Sequence, residues 1–384
     1  MNILVLFSHK WKGGRAGGGE IHVIDLISEL SKRGHNIVFA TDEILDESPS
    51  KRPDGVLAHF ELPFKSWNPL DKQNVYRGLA ELVCQYKIDI VHAHHRTGGY
   101  YAEYLYRKKQ VPYVVTAHDR WEGTPCKSLH RYILRNLISV SEFIKRNLVL
   151  RFHIPAERVR TIYNGVDPAK FGAVDTGAAL RFRQRHGAGN GEVVLSLIGR
   201  VRRVKGHYDL LRALRLVPAD LPYRCFIVGE GKDRMPLERL VHAYALQEKV
   251  VFCGYQSDIP LVMSASDIVL LPSYREPFGL TVIEAMLSRK PVIASNGGAV
   301  PEIITDNKDG ILFQARDVSG LAKSIENLTL SQDLRCRLAE EGFQTVRKRF
   351  LLTRMVDETE EHYRSILQRD KAWPEESCTQ VQRC

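Results

Sequence analysis

Short, nearly unbroken runs of apolar residues alternate along this chain with stretches whose apolar positions recur at helical spacing. Residues 3–7 (Ile-Leu-Val-Leu-Phe) make the first run. Continuous apolar character predicts a strand covered on both faces, as in a parallel sheet. Ile21, Ile24, Leu26, Ile27 and Leu30 then mark an amphipathic helix, closed by Gly34, and a second strand is predicted over 37–40. The alternation continues with a short strand near 56–60, a helix over 79–86, and strands over 88–92, 111–116 and 138–141. Residues 42–70 carry no clear period and read as loops around the short strand. Strand–helix–strand order implies crossover connections and a parallel sheet.

A Gly- and Ala-rich stretch at 168–191, holding one basic helix at 180–186, separates this series from a second. Strands are predicted over 193–198, 225–228, 250–252, 268–272, 291–294 and 310–313, and residues 319–368 read as helical. The expected fold class is α/β, with two Rossmann-like domains facing across a cleft. The predicted boundaries are 1–172, 173–345, and 346–384 as a terminal helix packing back towards the first domain plus a loose tail.

The candidate chemistry sits where these elements meet. In the run 274–286 (Tyr-Arg-Glu-Pro-Phe-Gly-Leu-Thr-Val-Ile-Glu-Ala-Met), Glu276 and Glu284 lie eight positions apart around a Pro-Phe-Gly turn. Pro277 keeps Glu276 out of helical geometry. Val282, Ile283, Met286 and Leu287 place a helix from Leu280 onward, with Glu284 on its second turn. Amide N–H groups of Gly279 and Leu280 at that helix start suit an anion. Arg200 and Lys205 flank another strand-to-helix turn, and a planar fork and a point charge can both reach one diphosphate. His118 stands at the C-terminal end of the strand 111–116, the edge where open α/β sheets bind ligands. The glycines at 13, 14, 17, 18 and 19 let a ligand approach the backbone, although they do not follow strand 3–7 immediately, as the dinucleotide fingerprint requires. Gly229-Glu230-Gly231 lacks a third glycine at Arg234, so that fingerprint fails there as well.

The run 274–286 resembles the Glu-x7-Glu motif of the retaining GT-B glycosyltransferases of family 4, down to Pro-Phe-Gly-Leu and the trailing Glu-Ala-Met. Thr-Ala-His-Asp at 116–119, Asn-Gly-Val-Asp at 164–167, Gly-Arg-x4-Lys-Gly at 199–206 and Val-Gly-x-Gly at 228–231 resemble the same family, so the likeness spans nearly the whole chain. It implies the GT-B fold and a nucleotide-diphosphate sugar donor, a UDP-hexose or UDP-N-acetylhexosamine ahead of GDP-mannose. It implies His118, Arg200, Lys205 and Glu276 as catalytic residues. Gly18, Gly19, Gly229, Gln256, Phe278, Gly279, Leu280 and Glu284 are its donor-binding positions, with Gln256 near the base, Glu284 on the ribose and Glu276 on the transferred sugar. Retention of configuration follows from the likeness. Front-face attack, with the donor phosphate taking the acceptor proton, is expected over a covalent intermediate on Glu276. A sugar-nucleotide epimerase, a phosphorylase and a non-catalytic nucleotide-sugar sensor are the competing readings.

Composition adds limits. The chain has no Asp-x-Asp, so no metal and no other cofactor is expected. No run approaches the ~20 apolar residues of a membrane helix, and the apolar N-terminus lacks the basic flank of a signal peptide. Seven scattered cysteines without a Cys-x-x-Cys pair suggest reduced thiols and a cytoplasmic protein. The net charge of +10 is uneven: residues 96–160 hold 13 Lys and Arg against 5 Asp and Glu, a balance of +8. Such a surplus suits a lipid-linked or anionic acceptor, or peripheral contact with the inner face of a membrane. A small soluble hydroxyl acceptor such as an inositol derivative stays open. No nucleic-acid-binding module is present.

Overall fold

The computed structural model describes residues 1–11, 17–44, 54–66, 68–122, 134–172 and 175–371. The chain divides into two compact units, Met1–Tyr163 with Leu352–Cys384, and Asn164–Leu351. The division falls after Tyr163 and after Leu351, against the expected 172 and 345.

The first unit is built on strands β1 (Asn2–Trp11), β2 (Asn36–Ile44), β3 (Val56–Glu61), β4 (Ile90–His94), β5 (Tyr113–Ala117), β6 (Leu137–Ser139) and β7 (Val159–Thr161). Their order is β3-β2-β1-β4-β5-β6-β7, with every pairing parallel. The order reverses direction between β1 and β4, where Ile3 pairs with Ile90 and Phe7 with His94. That is the topological switch point of a doubly wound sheet, and ligands gather at the carboxyl ends of such strands. Ile3, Leu4, Val5 and Leu6 are all fully buried, as a strand covered on both faces requires. Helix α1 (Gly18–Lys32) lays Val23, Leu26, Ile27 and Leu30 on one face of the sheet. The terminal helix Leu352–Lys371 joins the same core through Leu352, Met355, Val356, Tyr363 and Ile366. Each such side chain is worth about 1.5–3 kcal/mol of burial, so this helix is integral to the first unit.

The second unit repeats the plan with β8 (Val193–Ile198), β9 (Tyr223–Val228), β10 (Val250–Gly254), β11 (Ile268–Leu271), β12 (Val292–Ser295) and β13 (Ile311–Phe313). The order is β10-β9-β8-β11-β12-β13, again parallel throughout, with its switch point between β8 and β11.

Three expectations need adjusting. Helix α2 spans Pro69–Gln85, starting ten residues before the predicted 79, because Asn68 caps it with Oδ1 on the Leu70 N–H at 3.0 Å and Pro69 takes the first helical position. Gly18 and Gly19 are the first residues of α1 and not loop, since the Glu20 carboxylate accepts the Gly17 N–H at 2.7 Å and closes the helix start there. Residues 319–368 are three helices, Val318–Leu330, Gln332–Arg349 and Leu352–Lys371.

Candidate active site

In the second unit the carboxyl edge of the sheet presents the predicted residues in a row set by strand order. Gln256 follows β10, Gly229 follows β9, Arg200 and Lys205 follow β8, and Glu276 to Leu280 follow β11. Backbone bonds tie the neighbouring loops: Gly229 N–H to Gly254 O at 2.8 Å, and Val201 N–H to Glu230 O at 2.9 Å.

Lys205 and Glu276, 71 residues apart in sequence, meet side chain to side chain. Lys205 Nζ donates to both carboxylate oxygens of Glu276, at 2.8 and 2.9 Å. Glu276 is buried and Lys205 half-buried. Two features enforce the meeting. Gly206, in the left-handed region at φ 78°, lies so close to the Pro272 carbonyl that a Cβ there would overlap it. Tyr274 N–H donates to Val204 O at 2.9 Å. His207, fully buried, sets Nδ1 3.3 Å from Arg202 O behind the same turn. Burial, and then the neighbouring Lys205 ammonium, push its imidazole down to about 4, although Arg202 O and Asp233 act the other way.

The Glu276 main chain is clamped by the loop that follows β12, a role the sequence pattern did not assign. Glu276 N–H donates to Gly297 O at 3.1 Å, and Ala299 N–H donates to Glu276 O at 2.8 Å. Gly298 sits at φ 84° with no room for a Cβ against the Glu276 backbone. Gly298→Ala is therefore expected to destabilise the protein by roughly 1–3 kcal/mol, read as a lower urea midpoint, and to cut activity more than that loss explains. Wild-type activity in a folded Gly298→Ala protein would show that the clamp does not position Glu276.

Helix Leu280–Leu287 begins at Gly279, whose carbonyl accepts the Val282 N–H at 2.9 Å, so the Gly279, Leu280 and Thr281 N–H groups lie ahead of the first helical hydrogen bond. Glu284 lies half-buried on its second turn. Phe278 is buried with its ring edge-on to Phe350, 5.9 Å between centroids, so it has only its main chain to offer a ligand. Gln256 Nε2 donates to Cys253 O at 2.7 Å. Arg200 is exposed and has no ion-pair partner among the described residues.

In the first unit, β4 and β5 bring His94 and His118 to the carboxyl edge beside the switch point. His118 Nε2 lies 2.8 Å from His94 Nδ1. The Gly19 backbone lies against this ring: a Cβ built there would stand 3.7 Å from His118 Cγ. His22, on α1, approaches His118 edge-on at 4.7 Å between centroids, and His95 lies at 5.2 Å. His92 is tied by Nδ1 to Tyr363 Oη at 2.6 Å and by Nε2 to Thr116 Oγ1 at 2.7 Å. Gly13 and Gly14 lie outside the described residues.

With this geometry in place, the comparisons decide the family. Residues 16–170 match the family described as Glycosyltransferase Family 4, and residues 180–345 match Glycosyl transferases group 1. The chain belongs to the family 4 glycosyltransferases. The glycosyltransferase is 25% identical to an N-acetyl-alpha-D-glucosaminyl L-malate synthase of Bacillus anthracis, over 92% of this chain and 96% of that protein. It is 27% identical to a D-inositol 3-phosphate glycosyltransferase of Corynebacterium kroppenstedtii, over 85% and 80% of the two chains. A glycosyltransferase from Rickettsia africae ESF-5 superposes with TM-score 0.83 at 25% identity, covering 95% of this chain and 99% of that one. Anabaena HepE, solved with UDP and glucose, superposes at 0.82 and 21% identity over 95% and 100%. The expected GT-B class of two parallel-sheet α/β domains thus holds.

The basic surplus of this glycosyltransferase is partly structural. Arg107 and Arg135 bracket buried Glu103, at 2.7 and 3.6 Å, and Arg160 pairs with Glu361. Lys108 and Lys109, at the end of helix α3 (His95–Lys109), do something else. With Lys72, Tyr76 and Arg77 of α2 and Tyr104 they line an open groove of about 690 Å³. Residues 123–133 of the basic region lie outside the described residues. Cys84, Cys225, Cys253 and Cys336 are free thiols, and no described helix is long and apolar enough to cross a membrane.

Proposed function

We propose that this glycosyltransferase moves a hexose or N-acetylhexosamine from a UDP-sugar to a hydroxyl of a small anionic acceptor, with retention and without a metal. The Lys205–Glu276 contact carries the reading. It sets a cation for the departing phosphate against a carboxylate for sugar hydroxyls, on the edge that also bears Arg200 and the Leu280–Leu287 helix start. UDP and glucose in HepE support the donor. Malate and inositol phosphate, named for the two relatives, are both anionic hydroxyl compounds and support the acceptor class.

In the reaction, the bond between C1 and the phosphate oxygen breaks as positive charge grows on the sugar ring. The acceptor oxygen bonds to C1 on the same face, and its proton passes to the departing phosphate oxygen. Lys205, Arg200 and the helix N-terminus stabilise the charge released on UDP, the electrostatic contribution a metal would otherwise supply. Glu276 and Glu284 hold the transferred sugar and the ribose, and His118 contacts the sugar.

The test is a thermal-shift panel of UDP-glucose, UDP-N-acetylglucosamine, UDP-galactose and GDP-mannose, with and without EDTA. Transfer of the best donor to L-malate and to inositol phosphate follows, with the anomer read by proton coupling constants. Stabilisation by a UDP-sugar and an α-product in EDTA are expected. A β-product ends the retaining reading, and loss of activity in EDTA ends the metal-independent one. Donor epimerised without acceptor would favour the epimerase.

For peripheral membrane contact we assign the groove between α2 and α3, where four cationic side chains rim two tyrosines. Pelleting with anionic but not neutral vesicles is expected, weakened in Lys108→Glu/Lys109→Glu. Equal recovery in the supernatant with both vesicle types removes the membrane from the reading.

A further inference from the structure

Among the described side chains, the imidazoles of His22, His92, His94, His95 and His118 crowd the carboxyl edge of the first sheet, and only His118 enters the proposed reaction. His94 differs from the rest in how its two ring nitrogens are treated. The residue is fully buried on β4. Its Nδ1 lies 2.8 Å from His118 Nε2, while its Nε2 is buried without a hydrogen-bond partner among the described residues. Burial first, and then the neighbouring rings of His92, His118, His22 and His95, hold His94 in the neutral form.

A neutral imidazole has one N–H and one lone pair. If the His94 proton sat on Nε2, a buried donor would have nothing among the described residues to receive it, at a cost of about 1–3 kcal/mol. Buried acceptors tolerate incomplete pairing better than buried donors do. The proton therefore belongs on Nδ1, where it makes the hydrogen bond to His118. His118 Nε2 is then the acceptor of that bond, and the His118 proton sits on Nδ1.

We infer that His94 is a positioning residue: it donates from Nδ1 to Nε2 of His118 and fixes His118 as the neutral Nδ1–H tautomer. His118 then offers the transferred sugar a hydrogen-bond donor and does not serve as a base. Protonating His118 would put hydrogen on both its nitrogens and force the His94 proton onto the unpartnered Nε2. The arrangement thus opposes a charged His118, and leaves the acceptor proton to the donor phosphate. His92 supports it from below. Its ring lies 4.3 Å from that of His94 and is itself fixed at both nitrogens, by Tyr363 and Thr116. This inference rests on the proposed contact between His118 and the sugar; the tautomer itself does not.

A metal centre is the rival explanation, since nitrogens of His22, His94 and His118 lie within 4.8 Å of one another. The 2.8 Å between His94 and His118 is a hydrogen-bond distance. Two imidazoles on one tetrahedral zinc, each at about 2.0–2.1 Å, would hold their nitrogens roughly 3.3 Å apart.

The experiment is a long-range ¹H–¹⁵N correlation spectrum of histidine-labelled, EDTA-treated protein at neutral pH. His118 peaks are assigned by their loss in His118→Gln. The neutral Nδ1–H pattern is expected for His118 in the wild type, and an Nε2–H or charged pattern overturns the inference. In His94→Phe, which keeps bulk and deletes the donor, His118 should lose that single pattern, and kcat should fall roughly tenfold to a hundredfold with little change in donor KM. His94→Asn, whose amide can donate from the same place, should restore part of both. An unchanged His118 pattern in folded His94→Phe would also overturn the inference. So would a stoichiometric Co²⁺ absorption band in the wild type that His94→Phe abolishes, because that marks a metal centre. The spectrum needs no substrate, so it holds or fails independently of whether UDP-sugar transfer is found.

Discussion

Lys205→Ala is expected to cost about 10²–10³-fold in kcat, or roughly 3–4 kcal/mol of transition-state stabilisation. Two losses combine. The departing phosphate loses a cation, and the Glu276 carboxylate, buried and bound through both oxygens to that ammonium, is left without it. Glu276→Gln alone should cost less, because an amide can still meet sugar hydroxyls. The double variant should fall short of the sum of the two, since each single change already breaks the same contact. Measured transfer rates for the four proteins decide this. Full additivity would mean that Lys205 and Glu276 act separately and that their contact has no part in the reaction. Lys205→Arg is expected to recover little, because a planar fork cannot reproduce a point charge between two carboxylate oxygens.

Mild acid is expected to unfold the protein. An unfolded histidine titrates near 6.5. Burial, followed by flanking cations, pushes His207 and His362 down to about 4. His92 and His94 are held well below their ordinary value by burial, then by neighbouring imidazoles, those of His22 and His362 for His92. Below about pH 6.5 the unfolded chain binds protons that the native chain refuses, so stability falls as pH falls. The contribution is fully present above 6.5. For His207 and His362 it is lost progressively down to about 4, and for His92 and His94 the loss continues further. His207 alone is worth roughly 3 kcal/mol across that span. Urea midpoints should drop steeply between about pH 7 and pH 5, and His207→Phe should flatten the slope. Equal midpoints at the two pH values would rule the mechanism out.

The elements were legible wherever burial on both faces left a continuous apolar run. The runs 3–7 and 193–198 fall within β1 and β8, both fully parallel. Helix α2 extends back beyond its apolar period because its first residues, Pro69 to Asn74, are exposed or half-buried and mostly polar, with the start encoded by a cap. Spacing alone put Glu284 on the second turn of its helix. Spacing could not show that Lys205 touches Glu276, because that contact depends on a glycine fitting under Pro272 from another strand. His92 and His94 did carry a signal: alternate strand positions share a face, so their rings had to be neighbours on β4. That face, and the depth at which it lies, became meaningful only with Thr116 and Tyr363 beside it.

The terminal helix has a consequence for biosynthesis. Its side chains from Leu352 to Ile366 fill the core under β1 and β2, and Tyr363 holds His92. A ribosome finishes all of Asn164–Leu351 before it makes any of them. The first part of the polypeptide to be translated is therefore the last to mature, waiting with an open apolar face while its later-made neighbour can already fold.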